Sequence, residues 1–132
     1  MTLWQPGMII TDTRLMDGLD PTVVTTGLVA ATDFTVNDFY ASKSGRIVFV
    51  HCYLLYSGAT ITATSGNISD TTLCTLPVGW RPPTTINAAW GDGAEDGECT
   101  IGTGGAITLR SSVANIPTAR NFRVTANWNA TS

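Results

Sequence analysis

Charge is the scarcest commodity in this chain. Asp, Glu, Lys and Arg together make up 13% of its 132 residues, about half the usual quarter. Seven of them are basic and the net charge is -3. Without a basic stripe there is nothing to displace the counterions of a phosphate backbone, which argues against a nucleic-acid partner. Histidine occurs once, as His51. No GxSxG elbow, HExxH pair or P-loop is present, so an enzyme would lack placed titratable groups. The chain therefore reads as non-enzymatic, with no cofactor and no metal. No run of 18 or more apolar residues occurs, so membrane insertion is not expected. The opening MTLWQPGMII lacks the basic-then-apolar order of a secretory signal, and the sequons at Asn67 and Asn129 carry little weight without one. Cys52, Cys74 and Cys99 are odd in number and widely spaced. That is neither a disulfide framework nor a CxxC metal site, and the three read as small buried hydrophobes.

What replaces charge is threonine, glycine and alternation. The length and the 43% hydrophobic content fit one domain with a real core. Residues 1–22 stand apart as an N-terminal arm. Trp4-Gln5-Pro6-Gly7 reads as a turn, Thr11 as the cap of a short helix through Leu15 and Met16 that closes at Gly18, and Asp20-Pro21 as a stop. From residue 23 to 132 the pattern is strands and turns. Residues 23–32 are β-prone, with Gly27 as a bulge. Phe34 and Val36 share one side of the next strand. In 59–64, Ile61 and Ala63 alternate with threonines, and 68–76 is a further strand. Trp90 shares a side with Ile86 and Ala88. Cys99 and Ile101, then Ile107 and Leu109, point inward around a tight Gly104-Gly105 hairpin. Phe122, Val124, Ala126 and Trp128 oppose Arg123, Thr125 and Asn127. Period 2 with frequent turn signals is the pattern of an all-β, antiparallel β-sandwich of jelly-roll type.

One strand breaks the alternation. In RIVFVHCYLLY, residues 46–56, one side carries Ile47, Phe49, His51, Tyr53 and Leu55, and the other Val48, Val50, Cys52, Leu54 and Tyr56. A sandwich strand needs only one apolar side. Each large side chain left in water forgoes about 1.5–3 kcal/mol of burial, and five in a row make an aggregation-prone window. The row Ile47, Phe49, His51, Tyr53 and Leu55 is therefore expected to be covered by a neighbouring copy, as suits a symmetric oligomer.

The one polar cluster is WGDGAEDGE, residues 90–98. Four readings are open. It is a solvated hairpin tip, or a carbohydrate-facing loop in which Trp90 offers an apolar face while Asp92, Glu95 and Asp96 accept from sugar hydroxyls. A calcium site is the third reading, though the spacing of an EF-hand loop is absent. The fourth is the carboxylate pair of a glycoside hydrolase, which a glycine-rich loop would position poorly.

LPVGWRPP, residues 76–83, reads as a rigid corner. Pro77 removes a donor, Gly79 permits a sharp bend, and Pro82 and Pro83 hold the exit extended. Trp80 and Arg81 are fixed between them. The run Thr75-Leu76-Pro77-Val78-Gly79-Trp80-Arg81-Pro82 after an apolar strand resembles the C-terminal head domain of tailed-bacteriophage tail-fibre and receptor-binding proteins. The likeness extends over about residues 23–129. It includes the preceding GRIVFVHCYLLYSG strand, the GTGGAITL hairpin at 102–109 and an aromatic closing strand near Trp128. The opening WQPGMIITDTRLMDGL is similar, more weakly, to attachment segments of phage tail proteins. The resemblance implies a homotrimeric, non-catalytic β-sandwich on the virion, made in the bacterial host cytoplasm. Its arm would dock on other tail or virion proteins, and its tip would contact host cell-surface glycan. Such heads share no universal sugar-binding residues, so none is carried over. The arm is short, without a coiled-coil shaft, as expected of a fragment or of a head docked directly on a larger structure. The alternative is a structural virion protein, a capsid decoration or tail accessory subunit, that binds no receptor.

Overall fold

The computed structural model describes residues 5–9, 11 and 20–130. The elements are β1 (Thr22–Val24), β2 (Val29–Ala30), β3 (Phe34–Ser44), β4 (Ile47–Tyr56), β5 (Asn67–Thr75), β6 (Ile86–Gly91), β7 (Asp96–Ile101), β8 (Ala106–Ser111) and β9 (Asn121–Asn129). All nine belong to one antiparallel sheet in the order β1-β3-β4-β9-β6-β7-β8-β5-β2, curled into a half-barrel.

The curl follows from chain length. Laid flat, nine strands would put β1 and β2 about 38 Å apart. The chain passes from Val24 to Val29 directly, and five residue steps reach at most about 18 Å. The two edges must therefore approach each other. Midway across the order β9 meets β6 over only two residue pairs, Trp90↔Val124 and Gly91↔Arg123. This junction divides the sheet into a first wing, β1-β3-β4-β9, and a second, β6-β7-β8-β5-β2. The inward side chains of both wings form one core, with Phe39, Leu54 and Phe122 from the first and Leu73, Trp90 and Ile101 from the second. The expectation of an all-β antiparallel domain holds in this form, as a single bent sheet.

Alternation was a sound guide inside the long strands. Phe122, Val124, Ala126 and Trp128 are buried while Arg123, Thr125 and Asn127 are exposed, and Cys99, Ile101, Ile107 and Leu109 all face the core. It failed in three places. Residues 23–32 form two short edge strands, and Gly27 (φ 97°) lies at the crossing between them. The bulge sits instead in β3, where the register shifts between Val36 and Asp38. Residues 59–64 form no strand. Ile61 makes one bridge with Ile116, and the N–H of Ala63 donates to the Asn115 side chain at 2.8 Å, so the ladder stops after one rung. At the N-terminus, Met8 N–H donates to the Gln5 carbonyl across Pro6-Gly7, as the turn reading requires. The helix expected to follow Thr11, through Leu15 and Met16 to Gly18, falls on residues 12–19, which lie outside the described residues.

Strand direction sorts the connections. The β3–β4 turn, the 76–85 corner and the β7–β8 hairpin gather at one end. The 57–66 loop, the acidic β6–β7 loop and the 112–120 loop gather at the other.

Candidate functional site

The acidic hairpin is built more tightly than its glycines suggest. Gly91 pairs with Asp96, leaving residues 92–95 as the loop. Asp92 Oδ1 accepts the backbone N–H groups of Ala94 and Glu95 at 2.8 and 2.6 Å, and Asp92 N–H donates to the Glu95 carbonyl at 3.0 Å. Its other oxygen, Oδ2, lies 3.6 Å from Arg120 Nε, and its side chain is 0% exposed. This carboxylate shapes its own turn, as aspartates at loop starts do, and is closed to a ligand. Trp90 is closed too. It is 2% exposed, stacks 4.9 Å from Phe122 and donates its indole N–H to the Ser111 carbonyl at 3.0 Å. The apolar face expected to meet a sugar is spent on the core, because Trp90 sits at the β6–β9 junction against Phe122 and is tied to Ser111. Of the four residues read as ligand-binding, only Glu95, half-buried, and Asp96, exposed, remain accessible. Among the described residues, no group of three or more His, Cys, Asp or Glu side chains could hold a metal ion.

The corner is a joint between the wings. Trp80 N–H donates to the Pro77 carbonyl at 3.2 Å with Gly79 at φ 89°. That is a type II turn, whose third position needs a positive φ. Val78 is pushed out to 81% exposure, and Pro82 is buried. Arg81 Nε donates to the Leu76 carbonyl at 2.9 Å. From the first wing, the Lys43 ammonium sits 4.8 Å from the Trp80 ring centroid and donates to the Gly79 carbonyl. From the second, Leu76 N–H donates to the Gly105 carbonyl at 2.9 Å. Pro77, Gly79, Trp80, Arg81 and Pro82 thus tie β3 to the β7–β8 hairpin.

The outer face of β4 carries the row expected from the sequence. Ile47 is 58% exposed, and Phe49, His51, Tyr53 and Leu55 are each half-buried. Flanking strands supply what cover they have. Tyr40 meets Phe49 edge-on at 6.2 Å, His51 Nδ1 lies 3.1 Å from Thr125 Oγ1, and the Arg123 guanidinium lies over Tyr53 at 4.3 Å. Register sets polar residues on both sides of the row: Thr35, Asp38, Ser42 and Ser44 from β3, with the aromatic Tyr40 among them, and Asn121, Arg123, Thr125, Asn127 and Asn129 from β9. The opposite wing is different. There the outward row Thr72, Thr108, Thr100 and Asn87 is polar throughout.

The cysteines, distant in sequence, converge. All three are free and fully buried. Cys74 shares a thiol hydrogen bond with Cys52 across the two wings, and this, with burial, raises its pKa. Burial first, then the proximity of Cys52 and Glu98, pushes Cys99 up to about 12. Spacing along the chain could not show this meeting, since each cysteine sits on a different strand. A thiol that keeps its proton only when folded stabilises the protein fully below the unfolded thiol range, near pH 8.5. That stability drains as pH rises above that range, by up to about 1.4 kcal/mol per pH unit for each such thiol, until the pH passes the raised folded value. Urea midpoints measured from pH 8 to pH 10.5 are expected to fall steadily. In Cys99→Ala the slope flattens, whatever the starting stability.

Among the described residues, the fold and the side chains that face outward define an all-β, one-sheet domain with a single apolar outer row. No protein-family model matches the chain, and no curated protein matches it.

Proposed function

We propose that the chain is a receptor-binding tip module of a tailed-phage tail fibre, non-catalytic and homotrimeric, that recognises host-surface saccharide. The observation that carries this reading is the outer row of β4. A lone domain has no use for five large side chains left half-exposed on a central strand, and an assembled head does. In this reading the two wings serve as the layers of a jelly-roll-like sandwich, and the β4 rows of three copies meet. The arm at 1–22 docks on other tail or virion proteins, and the virion is where the protein works. The corner supports the reading. The run from Thr75 to Pro82 that resembles phage heads is a stiff joint in this chain, as a shared structural signature would be. The saccharide contact falls to the loops at the acidic end, where Glu95 and Asp96 stay accessible, and not to Trp90.

A second reading is a structural virion protein, a capsid decoration or tail accessory subunit. The enclosure of Trp90 and Asp92 favours it, because the two side chains best suited to grip a sugar are unavailable. Adsorption separates the two. Purified protein is expected to bind host envelopes and to block attachment of the parent phage in a dose-dependent way. Failure to bind any host envelope, alongside incorporation into particles, would select the structural role.

A further inference from the structure

The apolar row on β4 is flanked by unlike charges, and their placement specifies a partner. Register aligns Asp38 on β3, Tyr53 on β4 and Arg123 on β9 in one lateral line. The bulge between Val36 and Asp38 causes this. It leaves Asn37 as the extra residue and re-aims the strand, as bulges do, so that Asp38 stands opposite Tyr53. The carboxylate and the guanidinium are two strand spacings apart, about 10 Å, with the Tyr53 ring between them. Both are exposed. Asp38 makes no ion pair among the described residues, and Arg123 only overlies the ring.

Resting on the trimeric reading above, we infer that the outer face of β3, β4 and β9 binds two further copies of this chain around a three-fold axis running along β4, with Asp38 of each copy paired to Arg123 of the next. The two margins of the face are complementary to each other, not to themselves. A ring around such an axis sets the β3 margin of one copy against the β9 margin of its neighbour and closes three such pairs. The Ile47–Leu55 row then lines the axis in layers, one residue per copy.

The test is mass in solution by light scattering, with circular dichroism to verify folding, for wild type, Asp38→Arg, Arg123→Asp and the double exchange. Wild type is expected at three times the 14.0 kDa chain. Each single reversal sets like charges together three times per ring and is expected to give a folded single-chain species. The double exchange is expected to restore the trimer. High salt is expected to lower the trimer fraction of wild type, as it screens exposed pairs. A wild-type trimer whose single reversals stay trimeric, or whose double exchange fails to recover, overturns the pairing and leaves the trimeric reading standing. A folded wild type of one chain mass overturns both and assigns the row to another occupant, host saccharide being the first to titrate.

Discussion

Gly97→Ala is expected to remove about 3–5 kcal/mol, a large part of the stability of a small domain. Gly97 faces Trp90 across the β6–β7 ladder. A methyl group at Gly97 would meet the Ser111 carbonyl oxygen at 1.9 Å, the Ser111 carbonyl carbon at 2.7 Å and the Trp90 indole nitrogen at 2.8 Å. Two of those atoms are backbone and cannot swing aside. Overpacking of flexible neighbours costs about 1–3 kcal/mol. Here the added carbon also wedges the indole away from the Ser111 carbonyl it donates to and from the Phe122 ring it packs on. Trp90 is one of the two β6 residues paired with β9, so losing its seat loosens the joint between the wings. Urea unfolding followed by circular dichroism measures the loss. A midpoint unchanged from wild type would mean that Trp90 has room to move and is not held as described.

At the other end, Gly105→Ala is expected to cost about 2–4 kcal/mol from two sources, a strained backbone and broken hydrogen bonds. Gly105 holds φ at 89°, which a side chain resists. Its methyl would lie 2.6 Å from Arg81 Nε and 2.8 Å from the Leu76 carbonyl oxygen. Those two atoms form the hydrogen bond that fixes Arg81 in the corner. Arg81→Ala alone removes that bond and is expected to cost about 1 kcal/mol. The double variant relieves part of the crowding, so its cost should fall short of the sum of the two singles, as contacting sites generally couple. Strict additivity would show that Arg81 does not rest on Gly105.

These two glycines mark the limit of a reading made from the chain alone. The turn chemistry around Gly104-Gly105 was plain, and the hairpin is there. That Gly105 also seats the guanidinium of Arg81 was not, because that residue comes from a corner two strands earlier. Gly97 carried no signal at all. Its importance comes from a tryptophan opposite and a carbonyl on the next strand. The acidic loop differs from its sequence expectation for the same reason. Asp92 and Trp90 look like a polar tip beside an aromatic, yet Arg120 and Phe122 arrive from some 30 residues further on and close over them.

Local rules determined the strands, the hairpins, the stiffness of the corner and the doubly apolar character of residues 47–55, since alternation, proline and glycine act within a few residues. Tertiary structure alone decided that the nine strands form one curled sheet, that three scattered thiols meet, and that Phe122 and Arg120 close over Trp90 and Asp92. Each of those outcomes depends on which strands become neighbours. Pairing across 20 to 90 residues is set by the packing of the whole core and leaves no mark on any one segment.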